Sequence, residues 1–231
     1  MKQVLLMLGW WLSILMAWAQ PPLPTCRPAM LVVKGDGARV EVSEIVGDEG
    51  NAPLTVRFEA RPQQLGQHTA RYEWRFLREG ERSPFLLRYE EATDYVFTQS
   101  GSYTVQLLAT FVLDGREVSY EQDAPFVISI SDSKLEWPNA FTPNGDGVND
   151  VFRAKDGFRS LVEFRATVVN RWGKKVAEWT RPEEGWDGRI NGNDAPDGAY
   201  YFHCEARGAD GVRYRVKKTI NLLRKYMETS Q

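Results

Sequence analysis

Beyond residue 20 the chain shows almost no helical periodicity. Short runs rich in Val, Ile, Thr, Tyr and Phe recur instead, separated by Gly, Pro, Asn and Asp. Successive side chains of a strand point to opposite sides of a sheet, so alternation within a run fixes which residues share a face. In residues 54–58, Leu54, Val56 and Phe58 share one face, and in residues 72–76 so do Tyr72, Trp74 and Phe76. Similar runs stand at 31–33, 40–42, 103–107 and 126–130. A strand apolar on one side needs a second layer to cover it, so the predicted fold class is all-β, with two consecutive β-sandwiches.

The N-terminus has a different character. One cation, Lys2, precedes an uncharged apolar run over residues 4–18 that ends in Ala17-Trp18-Ala19. The run is shorter than the roughly 20 residues a membrane span needs, and the small residues suit signal-peptidase cleavage before Gln20. Residues 1–19 are therefore expected to be a signal peptide. The other reading is a retained anchor, since Trp10, Trp11 and Trp18 suit a membrane interface. Lysine plus arginine number 29 against 31 aspartate plus glutamate, a formal charge of −2. No summed field draws such a chain to nucleic acid, and no nucleic-acid partner is expected. An exported chain meets conditions in which disulfides persist, so Cys26 and Cys204 are a possible bridge. Alternation places Cys204 with Tyr200 and Phe202, so it also reads as a small core residue.

Residues 28–131 contain Gly50-Asn51-Ala52-Pro53-Leu54-Thr55-Val56, the Trp74 run and Gly101-Ser102-Tyr103-Thr104-Val105. Through these the segment resembles the PKD family, an immunoglobulin-like sandwich, although Leu77-Arg78-Glu79-Gly80-Glu81 stands where that family has a Gly-Asp-Gly turn. The resemblance implies a spacer or a protein- or glycan-facing module. Residues 131–134 are short, polar and free of strand signal, and read as a joint.

Residues 136–231 carry four ordered segments. The first holds Pro138, Asn139, Phe141, Thr142, Pro143, Asn144, Gly145, Asp146, Gly147, Asn149 and Asp150; the second is Asn170-Arg171-Trp172-Gly173. The third is Trp186-Asp187-Gly188, and the fourth runs through Gly198 and Tyr200. Together with Arg224 near the end of a last strand, they resemble the gliding motility-associated C-terminal domain, the type B sorting domain of type IX secretion. Lys218 stands where that family often has glycine, and seven residues follow Arg224. The resemblance implies an immunoglobulin-like sandwich that sorts and attaches the protein at the cell surface, peripheral to the outer membrane. It implies as partners the type IX machinery and an outer-membrane β-barrel of the PorP/SprF kind. A regulatory or scaffolding envelope subunit fits the small size of the displayed block. The alternative is a secreted glycan- or protein-binding module without a sorting role, which coplanar exposed aromatics would favour.

Asn144-Gly145 and Asp146-Gly147 have the composition of tight reversing turns. Asn144, Asp146 and Asp150 also crowd oxygens into one loop, the raw material of a calcium site, although Val148 and Asn149 depart from an EF-hand pattern. Trp172 and Trp186 are expected to cover one end of the second sandwich, ring buried and N–H reaching a loop carbonyl. No catalytic constellation is legible. His68 and His203 fall in different blocks, no Ser sits in a Gly-x-Ser-x-Gly elbow, and Glu90-Glu91 and Glu183-Glu184 read as solvated pairs, so a non-enzyme is expected.

Overall fold

The computed structural model describes residues 22–224. The signal-peptide reading of residues 1–19 and the tail after Arg224 lie outside the described residues. Nine strands of the N-terminal block are central: β1 (Ala29–Val33), β2 (Arg39–Val42), β3 (Leu54–Glu59), β4 (Thr69–Arg78), β5 (Leu86–Arg88), β6 (Ala92–Phe97), β7 (Gly101–Leu113), β8 (Arg116–Glu121) and β9 (Phe126–Ile130). One layer has the order β2-β1-β3-β6. The other runs from the short Glu44–Ile45 strand through β9, β7 and β4 to β5, with β8 also paired to β7.

Alternation builds this core as the sequence requires. Val56 and Phe58 of β3 face Tyr72, Trp74 and Phe76 of β4 across the two layers, and all five are buried. The Phe58 ring lies 5.8 Å from Trp74 and meets Phe76 edge-on at 5.4 Å, within the range where aromatic pairs add to plain burial. The Trp74 Nε1–H, which would be costly to bury unpaired, donates to the Glu90 carbonyl at 3.1 Å. Along one edge of β7 the pairing passes from β9 to β8. At that gap the buried Gln122 side chain takes the place of a strand: its Oε1 accepts from the Leu107 amide at 3.1 Å and its Nε2 donates to the Ala124 carbonyl at 2.8 Å.

The C-terminal block is one twisted sheet of five strands covered by a layer of short ladders. Its strands are β10 (Ala140–Phe141), β11 (Leu161–Val169), β12 (Lys175–Trp179), β13 (Gly198–Gly208) and β14 (Arg213–Leu222), ordered β10-β14-β13-β11-β12. β13 turns Tyr200, Phe202, Cys204 and Ala206 inward and the residues between them outward. The covering layer includes the ladder of Phe152–Arg153 with Gly185–Trp186. Trp137, Phe152 and Trp179 close over Phe202 at ring separations of 4.3, 4.9 and 6.1 Å. Leu161–Val169 is a strand, and among the described residues no helix is long and apolar enough to cross a membrane.

The two cysteines do not pair. Cys26 is buried in the N-terminal core and Cys204 in the C-terminal core, and both are free thiols. The possible bridge is thereby corrected, because each sulfur fills its own apolar site. Burial pushes the thiol of Cys26 up to about 11, helped by Glu91, and that of Cys204 up to about 12, helped by Glu205, so neither is a ready nucleophile.

The segment between the blocks is more than a polar spacer. The Ser131 hydroxyl bonds to Asn51 Oδ1 and Ser160 Oγ, both at 2.8 Å, and its amide donates to the Gly50 carbonyl at 2.8 Å. Ser133 donates its amide and hydroxyl to Asp210, at 3.0 and 2.8 Å. Burial alone would raise the Asp210 carboxyl, but the donors from Ser133 and the Val212 amide outweigh it and hold it below its usual range. The Ser100 amide reaches the Ala209 carbonyl at 3.1 Å, and Ala209 itself packs into the N-terminal core. Gly50 is required here, since a Cβ on it would lie 1.8 Å from the Ser129 carbonyl oxygen.

Candidate functional site

Strand register separates the two ends of the C-terminal sheet. Leu161 pairs with Gly208 and Arg207 with Arg213 at the end that faces the joint. Val169 pairs with Tyr201 and Lys175, and Gly198 with Leu222, at the other end. The nine residues of β11 separate these ends by roughly 30 Å. The four sequence segments, far apart along the chain, all meet at the end away from the N-terminal block.

Arg224 ties three of them together. Its Nη1 donates to the Pro143 carbonyl at 2.6 Å, its Nη2 to the Gly188 carbonyl at 2.9 Å, and its backbone amide to Asp197 Oδ1 at 3.2 Å. Asp194 lies 3.5 Å from Nη1, while Nε is buried without a partner. A planar fork suits this task because two carbonyls from different loops can be held at once. Gly188 is confined by the same cluster. It has φ +75, and a Cβ there would stand 2.8 Å from Pro143 Cγ and 3.2 Å from Arg224 Nη2.

Beneath the clamp lies an aromatic floor. Trp186 is buried, donates its Nε1–H to the Arg189 carbonyl at 2.8 Å, and meets Tyr200 edge-on at 4.7 Å and Phe141 at 5.3 Å. The Tyr200 hydroxyl donates to the Pro196 carbonyl at 2.9 Å, and Asp187 Oδ1 accepts from the Arg189 amide at 3.0 Å. On the edge of β14, Lys218 points its ammonium at the Pro138 carbonyl, 2.7 Å, and Asn139 Oδ1, 2.6 Å. Desolvation lowers its pKa, with Lys155 adding to the effect. The departure from glycine at position 218 thus fastens the start of the first segment to the last strand, a role its place in a strand pattern did not signal.

The loop holding Asn144, Asp146 and Asp150 is a double turn closed by its own carboxylates. Asp150 Oδ1 accepts from the Gly145 amide at 2.7 Å and Oδ2 from the Gly147 amide at 2.8 Å. Asp146 Oδ1 takes the Val148 amide at 2.8 Å, and Oδ2 takes Asn144 Nδ2 at 2.8 Å. Gly145 and Gly147 have φ +83 and +85, and Asn149 has φ +52, as consecutive reversals require. The two amides hold the Asp150 carboxyl below its ordinary range. These bonds already direct the Asp146 and Asp150 oxygens at the loop's own N–H groups. Among the described residues no group of three His, Cys, Asp or Glu side chains could hold a metal ion.

The second segment forms the tip of the β11–β12 hairpin and overturns the expectation that both tryptophans cover the end of the sandwich. Asn170 Oδ1 accepts from the amides of Trp172 and Lys174 at 3.1 and 3.0 Å, and Gly173 turns the chain with φ +77. Trp172 therefore sits at the apex and is 78% exposed, with Arg171 4.9 Å over its ring. Beside it a cleft of about 340 Å³ is lined by Ile190, Pro196, Gly198 and Tyr201, the last 52% exposed.

This geometry coincides with a recognised family. Residues 135–221 match the CHU_C type IX secretion signal domain. The C-terminal block is thus a signal domain of type IX secretion, and the chain is exported by that route with its sorting function at the C-terminal end. Export of this kind associates the protein with the cell surface and outer membrane, and the type IX machinery is its partner. Such a signal domain is of a non-catalytic kind. Arg224 falls just beyond the matched residues, although it holds three of the matched segments in place.

Among solved structures, the chain is similar to the FN1–FN3 domains of chicken CNTN1, at 12% identity and a TM-score of 0.27 over 84% of this chain and 76% of that one. It is similar to dimeric latent PorU from Porphyromonas gingivalis at 13% identity and a TM-score of 0.26, over 87% of this chain and 20% of PorU. A third likeness, to fibronectin(III)-like modules of Clostridium thermocellum CbhA, has 14% identity and a TM-score of 0.22, over 81% of this chain and 90% of that one. No curated protein matches the chain.

Proposed function

We propose that residues 28–131 are the displayed module and residues 136–231 the address and attachment module of a cell-surface envelope protein. The signal peptide of residues 1–19 takes the chain across the inner membrane, and it passes through the periplasm before the type IX step. The observation that carries this reading is the convergence of the four segments, three of them fastened by Arg224, at the end of the sheet away from the N-terminal block. That end is free to meet the export machinery while the other holds the displayed module through Ser131, Ser133, Ser160 and Asp210. A partner consistent with attachment is an outer-membrane β-barrel of the PorP/SprF kind.

The protein works by binding and has no catalytic activity. His68 and His203 lie in different blocks, and the carboxylates of the motif loop are engaged by backbone amides. A regulatory or scaffolding subunit of the envelope fits these features. Fusion supplies the test: residues 136–231 placed behind an unrelated periplasmic protein should bring it to the cell surface and co-purify with a PorP-like barrel. A fusion that stays in the periplasm of an export-competent cell would refute the address function.

A further inference from the structure

The exposed apex of the β11–β12 hairpin has a side chain that its fold does not need. Asn170 and Gly173 build the turn, and position 172 contributes only an amide to it. Any residue compatible with a turn would serve, yet the largest apolar side chain stands there, mostly in solvent. Next to it are the exposed Tyr201 ring and two cations, Arg171 and Lys174, that form no ion pair among the described residues. Trp, Tyr and Arg are the side chains that most often dominate binding energy: the two aromatics bury a large area at small cost in conformational freedom, and the planar guanidinium pairs two acceptors at once. Carboxylates at the edge of a partner's pocket would be the complement of these two cations.

We propose that Trp172, flanked by Arg171 and Tyr201, is the anchor by which this domain docks into an apolar, acid-edged pocket on a protein of the type IX apparatus. This rests on the sorting reading and adds a specific contact to it. The indole enters the pocket, and the guanidinium moves from the indole face to a partner carboxylate. The cleft formed by Ile190, Pro196 and Tyr201 receives the pocket rim. The location favours a protein of the export machinery as occupant, because the hairpin tip stands beside the other sorting segments and about 30 Å from the joint.

The test compares the full-length protein with W172A, R171E and a truncation lacking residues 136–231 in a type IX-competent cell. Surface display is read by protease accessibility of intact cells. W172A should lower the surface fraction roughly tenfold or more and R171E several-fold, with accumulation in the periplasm. W172A should melt with the parent, since the indole is exposed; R171E, which leaves the indole in place, gives an independent reading should W172A fold poorly. A photo-crosslinking residue at position 172 should join the chain to a type IX component identified by mass. Normal display of W172A and R171E, with the truncation retained inside, would overturn the proposal and leave the sorting function standing. Normal display of the truncation would overturn both. Quenching of tryptophan fluorescence by soluble glycan in the parent but not in W172A, or loss of self-association in W172A, with display unchanged, would assign the patch to a glycan or to a second copy and refute the proposal.

Discussion

Replacing Arg224 by alanine should loosen the end of the C-terminal sheet without unfolding the molecule. Two charge-assisted hydrogen bonds, to the carbonyls of Pro143 and Gly188, disappear and leave those acceptors less well satisfied. Bonds of this kind contribute about 1.5–3 kcal/mol each. Two features reduce the sum. The side chain is 23% exposed, and its buried Nε has no partner, a cost that alanine removes. A net loss of about 2–3 kcal/mol follows, which for a unit of this size lowers the melting temperature by about 10–20 °C. Calorimetry of the chain should show this drop in the transition of the C-terminal block. Hydrogen exchange should rise in residues 142–151 and 187–197, with little change in β3, β4 and β7. Because the main acceptors are carbonyls and not charges, about 0.5 M salt should leave most of the difference intact; only the 3.5 Å contact with Asp194 is screened. R224K, which lacks the planar fork, should recover at most about half of the loss. A melting temperature within about 2 °C of the parent, with unchanged exchange in both loops, would refute the clamp.

Other outcomes follow from the same contacts. Asp150 has a folded pKa below its unfolded value, so its contribution is present above about pH 4 and lost as pH falls through the folded value. In D150N, exchange protection of residues 144–150 should already be low at neutral pH and change little on acidification; a parent-like acid response would refute the assignment. Calcium and chelator should give the same melting temperature, because the Asp146 and Asp150 oxygens face the loop's own amides and Asn144; a calcium-dependent rise would restore a metal role for these residues. Both thiols should resist a disulfide reagent at pH 8 in the native chain and react in denaturant, and rapid native labelling of either would contradict their burial.

The strand faces were legible because period-two alternation is a local property. Trp74 and Phe202 could be assigned to cores from five residues of sequence each, and both are buried. Trp172 was not legible in the same way. Tryptophan is usually buried, and only the turn made by Asn170 and Gly173 shows that this one stands at an apex with no layer over it. The clamp was hidden for a different reason: Arg224 bonds to carbonyls 36 and 81 positions away, and carbonyls leave no trace in residue type. Lys218 is similar, its partners being Pro138 and Asn139, 80 and 79 positions away. At the joint, the polar composition of residues 131–134 matched a flexible spacer as well as a hydrogen-bonded lock. Ser160 and Asp210 decide between them, and no local pattern announces those partners.

If the C-terminal block directs the protein through type IX secretion, cellular location must depend on both that block and the exporter. Full-length protein and a variant lacking residues 136–231 would be expressed in cells with and without the type IX outer-membrane exporter. Surface protein would be scored by protease shaving, and folding of the retained fraction by limited proteolysis after lysis. The N-terminal block has its own two-layer core, so the truncated chain should stay folded and protease-resistant. Surface display is expected only for full-length protein in exporter-positive cells, with folded protein in the periplasm in the other three cases. Display of the truncated chain at the full-length level, or display that persists without the exporter, would contradict it.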